Sequence, residues 1–226
     1  MVGDPGFDQA KFGDFESLIS TINVNTAGII IEPVQGEGGI NVAELGYLQA
    51  VRQLCDTHDI LLMFDEVQCG IARTGSLYAY QQFGVNPDIL TTAKGLGGGF
   101  PIGACLATEE IACALAAGTH GSTFGGNPLA TAVGNAVIDT LNDEGFLRRI
   151  SELGDYLKAE LTVLVERYPL LLSRVKGLGL MLGLYCLTDA GQLIAGLQKK
   201  KLLAVKAGGN SCLLYTSDAA DDLLCV

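Results

Sequence analysis

Basic residues are scarce in this chain: 14 lysines and arginines stand against 25 acids, for a formal net charge of -11. A nucleic-acid or anionic-membrane partner needs the opposite balance, so both are argued against. Histidine is scarcer still, at two, and the seven cysteines are scattered with no C-x-x-C pair. That spacing suits neither a zinc site nor a disulfide scaffold. No metal is expected, and a reducing cytoplasm is the simplest compartment. No apolar run reaches the roughly 18 residues that cross a bilayer. The opening Met1-Val2-Gly3-Asp4-Pro5 has neither the basic nor the apolar region of a secretory signal. What the chain has instead is glycine, 30 of them, in a sequence that is 49% hydrophobic. At 226 residues this composition suits a glycine-looped α/β core, as one large domain or one and a half smaller ones.

Ala27–Ile31 is a continuous apolar run stopped by Glu32-Pro33 and reads as a strand buried on both faces. A helix is expected over Ala43–His58, with Leu48, Val51, Leu54 and Cys55 on one side. The next apolar run, Ile60–Phe64, ends on Asp65. Strand, helix and strand in this order predict a parallel pair. A third strand, Asp88–Thr92, delivers Lys94. In open α/β sheets, ligands sit at the carboxyl ends of the strands. An acid at one such end and a lysine at another either form a salt bridge or face one ligand. An acid there can hold a proton on a ring nitrogen, and a lysine can form an imine with an aldehyde, which points to pyridoxal phosphate chemistry.

Three glycine-rich stretches accompany these strands. Gln35-Gly36-Glu37-Gly38-Gly39 places Glu32 and Glu37 just past the first strand, as a solvated acidic loop or as a close approach to a ligand. Gly95-Leu96-Gly97-Gly98-Gly99 lacks the Gly-Lys-Ser/Thr ending of a nucleotide loop and reads as a sharp reversal into a strand within Pro101–Thr108. A non-catalytic metabolite-binding α/β domain using that loop is the alternative of a different class. Thr119–Pro128 is dense in hydroxyls and glycine, as an ordinary long loop or a phosphate site.

The remaining elements are a short helix from an Asp14 cap to Ile22, helices over Tyr78–Phe83 and Glu109–Ala117, and a helix over Leu129–Asn142 that is apolar nearly all round and so expected to be buried. Phe146–Tyr168 is a long amphipathic helix with Leu147, Ile150, Leu153, Leu157, Leu161 and Leu164 on one face, ended by Pro169. A bent strand pair over Val175–Leu187, a helix over Ala190–Lys200 and a strand over Leu202–Val205 complete a smaller α/β layer with no chemistry of its own. From Cys212 to Val226 the pattern breaks; the segment resembles translated adapter sequence and is expected to lie outside the fold.

Four motifs in order carry a resemblance. They are Ile31-Glu32-Pro33-Val34-Gln35-Gly36-Glu37-Gly38-Gly39, Phe64-Asp65-Glu66-Val67-Gln68, Ala93-Lys94-Gly95-Leu96-Gly97-Gly98-Gly99 and His120-Gly121-Ser122-Thr123-Phe124-Gly125-Gly126-Asn127-Pro128. From about Gly6 to Ser211 the chain resembles the class III (ornithine-type) aminotransferases of fold type I. It is most similar to members that move an amino group between N2-acetylornithine and 2-oxoglutarate in arginine biosynthesis. Ornithine, succinylornithine and 4-aminobutyrate are the alternative substrates within the family.

The resemblance implies an α/β fold. Residues 1–145 would be the later part of the large, mostly parallel-sheet domain, 146–211 part of the small α/β domain, and 212–226 the unrelated tail. It implies pyridoxal 5'-phosphate as cofactor, a homodimer, small-molecule substrates and the cytoplasm. It makes Lys94 the residue that carries the cofactor and moves a proton, and Asp65 the partner of its ring nitrogen. Val67 would pack on one ring face and Gln68 would bond the phenolic oxygen. Ser122 and Thr123 would bind the phosphate from the neighbouring subunit. Glu37 would pair with a movable arginine and help the site accept two substrates. The family's upstream Gly-Ser/Thr phosphate loop, its ring-stacking aromatic and the arginine after Ala207-Gly208-Gly209-Asn210 have no counterpart here. A fragment cut at both ends, inactive in isolation, is therefore expected.

Overall fold

The computed structural model describes residues 6–214. They form two four-stranded sheets in succession. The first holds β1 (Gly28–Ile31), β2 (Leu61–Asp65), β3 (Ile89–Thr92) and β4 (Ala104–Ala107), side by side in that order. β1, β2 and β3 are parallel, with Ile31 beside Phe64 and Asp65 beside Thr91. β4 returns antiparallel, with Ala104 beside Thr92, so the glycine run after Lys94 makes the reversal its composition predicts.

The crossover from β1 to β2 is α2 (Leu45–His58), which buries Leu48, Val51 and Cys55 in one core with Leu62 and Phe64. Each such side chain contributes roughly 1.5–3 kcal/mol when fully buried. The helix ends at Asp59, whose left-handed φ of 54° turns its N–H back to the Cys55 carbonyl. Arg52 on α2 bonds Asp88 at 3.0 Å, and the same Asp88 oxygen accepts the Leu62 N–H at 2.7 Å. That pair of bonds fixes the foot of β3 beside β2. α1 (Phe15–Thr21) is capped by Asp14, which accepts the Ser17 N–H, and adds Leu18 to the same core.

Three expectations for this half need correction. β1 is an end strand, and Ile30 is 55% exposed while Ile29 and Ile31 are buried. The helix expected to run to Ala117 is the single turn α4 (Glu109–Ala112). α5 (Pro128–Leu141) buries only Ala130, Gly134 and Leu141, and Leu129 is 61% exposed. It rests through Gly134 on the Leu96 carbonyl, in the 3-10 turn that spans Lys94–Gly97. Its polar stripe, Thr131, Asn135 and Asp139, is narrow and marks the exposed side, so the mostly apolar composition overstated its burial. Between β2 and β3 lies α3 (Tyr80–Phe83).

α6 (Glu144–Arg167) leads into the second sheet and is capped by Asp143, which accepts the Phe146 N–H. Its packed face is rotated from the expected one. Leu153 and Leu164 are exposed, and Gly154 is buried with Leu161. The cause is Gly154, whose bare Cα sits against the backbone of Gly179. β5 (Leu172–Leu178) and β6 (Met181–Cys186) form the expected antiparallel pair. α7 (Ala190–Lys199), β7 (Ala204–Ala207) and β8 (Ser211–Leu214) follow, and the strand order is β5-β6-β8-β7.

The expectation that the fold stops at Ser211 is corrected by β8. Cys212 and Leu213 are buried and the strand pairs with both β6 and β7. Gly209 and Asn210, at φ 66° and 59°, make the reversal that brings it there. A short apolar segment after that turn supplies the ladder partner that β6 otherwise lacks. The rest of the expected tail, from Tyr215, lies outside the described residues. No helix among the described residues is long and apolar enough to cross a membrane.

Candidate active site

The carboxyl ends of β1, β2 and β3 lie side by side and deliver Glu32, Asp65 and Lys94. Asp65 is the last residue of β2. Its Oδ1 accepts the Val67 N–H at 3.0 Å and the Thr91 hydroxyl at 3.3 Å, so the carboxylate is held from its own turn and from the next strand. Lys94 follows β3 with a φ of 46°. A side chain at such a backbone angle costs roughly 1–2 kcal/mol and persists only where its surroundings hold it.

Glu32 feels the charges of these groups. Burial is the first cause that raises its carboxyl above the ordinary range, and the Gly36 N–H, donated to Oε2 at 3.1 Å, opposes it. The charges that act on it next are Asp65, Lys94 and Glu37, the carboxylates upward and the ammonium downward. Four ionisable groups from three loops therefore share one field. The resemblance implies Asp65, Lys94 and Glu37 for this site, and the sequence places Glu32 with Glu37 just past the first strand, in a solvated loop or near a ligand. The signal for Glu32 is that it lies one residue past a buried strand, as Lys94 lies two residues past another.

Gln68 is half-buried and packs on the backbone of Gly36, where a Cβ would overlap its amide oxygen. Gly36 thus leaves room for the Gln68 amide in this pose. Val67, between Asp65 and Gln68, is half-buried in the same turn. Glu37 is exposed at the tip of its loop, and its carbonyl accepts the Gly208 N–H at 2.7 Å.

Glu66 is a residue to which the sequence assigns no role. It is fully buried and accepts the N–H groups of Ala79 and Tyr80 at 2.6 and 2.7 Å. Burial pushes its carboxyl up to about 6, against the pull of those two donors. It ties the Asp65–Gln68 turn to the start of α3. Ser122 and Thr123 are not drawn into the half-buried cluster. Both are exposed in the loop before α5, and the Ser122 hydroxyl accepts the Gly125 N–H at 2.9 Å. Among the described residues, no group of three His, Cys, Asp or Glu is placed to hold a metal ion.

Residues 7–219 match the family model for aminotransferase class-III. The chain belongs to the class-III aminotransferases. It is 49% identical over 205 residues to an acetylornithine aminotransferase of Agrobacterium fabrum, covering 91% of this chain and 51% of the relative. One from Rhodobacter capsulatus is 47% identical over 206 residues, covering 91% and 52%. Among solved structures, acetylornithine aminotransferase from Elizabethkingia anophelis superposes with a TM-score of 0.85 at 39% identity, over 93% of this chain and 54% of that one. Plasmodium falciparum ornithine delta-aminotransferase gives 0.87 at 30% identity, over 98% and 57%. The chain spans about half the length of the curated relatives it matches. The fold is the fold type I expected from the motifs.

Class-III aminotransferases depend on pyridoxal phosphate, and the donor set suits that molecule. It offers a primary amine at Lys94 and a carboxylate at Asp65 aligned by two hydrogen bonds. The amide of Gln68 and the aliphatic branch of Val67 stand in the turn that Asp65 opens.

Proposed function

We propose that this chain carries the catalytic lysine and the ring-nitrogen acid of an enzyme that transfers an amino group from N2-acetylornithine to 2-oxoglutarate. The observation that supports it most is that Asp65 and Lys94, with Glu32, stand at the carboxyl ends of three adjacent strands. Lys94 would hold the cofactor through its Nζ, and that amine would serve as the base that moves a proton from the amino-bearing carbon of the substrate. Asp65 keeps the ring nitrogen protonated, because a fixed carboxylate favours the charged partner. The cofactor, when bound, supplies the electron sink that makes that carbon acidic. Gln68 would orient the phenolic oxygen and Val67 would pack on the ring. Ser122 and Thr123 would hold the phosphate from a neighbouring copy, in a homodimer that works in the cytoplasm. Glu37 stands at the substrate end.

The likeness to ornithine aminotransferases, at a TM-score of 0.87, supports a second reading in which unacylated ornithine is the donor. One experiment separates the two. The protein translated from the longest open reading frame that contains this chain is assayed with N-acetylornithine and with ornithine, each against 2-oxoglutarate. The proposal expects kcat/KM at least tenfold higher for the acylated donor. Preference for ornithine supports the second reading, and no transfer from either contradicts both.

A further inference from the structure

The Glu37 loop is held in place from the second sheet. Ile40, at the base of the loop, has a φ of 52°, and Gly39 before it a φ of 109°. A β-branched residue at positive φ is a true outlier, and it persists only where its surroundings over-determine it. Within the loop, Gly39 and Ile40 both donate to the Gly36 carbonyl at 3.1 Å. Asn41 closes the loop as well, its carbonyl accepting the Gln35 N–H at 2.9 Å and its amide donating to Gln35 Oε1 and to the Gly38 carbonyl. Further restraints come from β5, β6 and the turn after β7. Ile40 is fully buried against the bare Cα of Gly183. The Gly208 N–H holds the Glu37 carbonyl. Lys176 donates to Asn41 Oδ1 at 2.9 Å. The Tyr185 hydroxyl donates to the Gly39 carbonyl and lies 3.5 Å from Asn41 Oδ1.

We propose that Tyr185 is a positioning residue for the substrate end of the site: from β6 it latches the strained loop that carries Glu37, and so couples the second sheet to substrate binding. This rests on the role given to Glu37 above. The ring is itself fixed. The Arg174 guanidinium lies 4.6 Å and the Lys176 ammonium 5.1 Å from its centroid, which orients the aromatic face and leaves the hydroxyl aimed at the loop. Without the hydroxyl, the Gly39 carbonyl loses a buried donor, and a buried acceptor left unmade weakens the conformation that depended on it. The loop then relaxes at Gly39–Ile40 and Glu37 at its tip moves.

The test uses Tyr185→Phe, which keeps the ring, and Lys176→Met, which loosens Asn41 from a less buried position. Both are made in the protein from the longest open reading frame. The first readout is amide exchange. The Gly39 and Ile40 N–H groups should exchange about 3–10-fold faster in Tyr185→Phe, the effect of one lost hydrogen bond. The second is the split of kinetic constants. KM for the amino donor should rise by a similar factor, with a smaller change in kcat and an unaltered absorption spectrum of the bound cofactor. Lys176→Met should move both readouts in the same direction. Unchanged exchange at Gly39 and Ile40, or an unchanged KM, overturns the proposal. So does faster exchange across both sheets with a lowered melting point, which would make Tyr185 merely structural. If the unsubstituted protein transfers no amino group, it is the functional reading that fails, and loop exchange alone then decides the latch.

Discussion

Gln68 lies directly on the backbone of Gly36: a Cβ added to Gly36 would overlap the Gln68 amide oxygen. The contact joins the loop after β1 to the turn after β2, and it places the one amide expected to touch the cofactor's phenolic oxygen. Gly36→Ala is therefore a test of Gln68. The fold should survive, because only the end of one side chain must swing away. Turnover should fall roughly tenfold or more, as expected when a positioned group is misplaced by about 1 Å. Normal turnover in Gly36→Ala would show that Gln68 does not need this pose.

Asp65→Ala removes the fixed carboxylate at the end of β2. Turnover should drop on the order of 10²-fold or more, by analogy with the loss of one electrostatic stabiliser. Covalent attachment at Lys94 should persist, since the lysine does not depend on the acid for its reach. A near-wild-type rate would remove the argument for a protonated ring nitrogen.

Glu66 makes a pH prediction. Its folded-state carboxyl sits at about 6, above the ordinary 4.5. A raised acid stabilises the fold fully below 4.5, and this contribution is lost as pH climbs through about 6. The loss amounts to about 2 kcal/mol. Glu66→Gln cannot show it. Urea unfolding at pH 4.5 and 7.5 should find the difference between parent and variant larger in the parent's favour at the lower pH. A constant difference contradicts the reading of a carboxyl strained by burial.

Gly154→Ala tests the seam between α6 and the second sheet. The new methyl would sit 2.5 Å from the backbone of Gly179, and Gly179 in turn backs onto Thr74 with no room to retreat. Overpacking of this kind costs about 1–3 kcal/mol, so the denaturant midpoint should fall without loss of cofactor binding. An unchanged midpoint would mean that α6 shifts freely.

The first sheet, and the strand ends that carry Asp65 and Lys94, were legible because apolar runs stop at these residues. Leu61–Asp65 and Ile89–Thr92 announce themselves by composition, and Asp65 and Lys94 by where those runs stop. What escaped depends on contacts between distant segments. Nothing local says that Gly154 meets Gly179, so the packed face of α6 came out rotated. α5 carries a narrow polar stripe, Thr131, Asn135 and Asp139, but the exposure of the apolar residues beside it could not be read from composition. Glu66 looks like a surface acid until the N–H groups of Ala79 and Tyr80, more than ten positions on, are seen to close over it. Cys212–Leu214 read as foreign in sequence yet complete the second sheet, because any short apolar strand can satisfy an open ladder. The role of the second sheet was hidden for the same reason: Tyr185 reaches Gly39 from far along the chain.

The central claim is that Lys94 bears the cofactor. It is tested most directly by borohydride reduction of the holoenzyme from the longest open reading frame, followed by proteolysis and peptide mass mapping. A pyridoxyl mass increment on the peptide that contains Lys94, absent in Lys94→Ala, is the predicted result. The increment on another lysine, such as Lys176, or no increment at all, would contradict it.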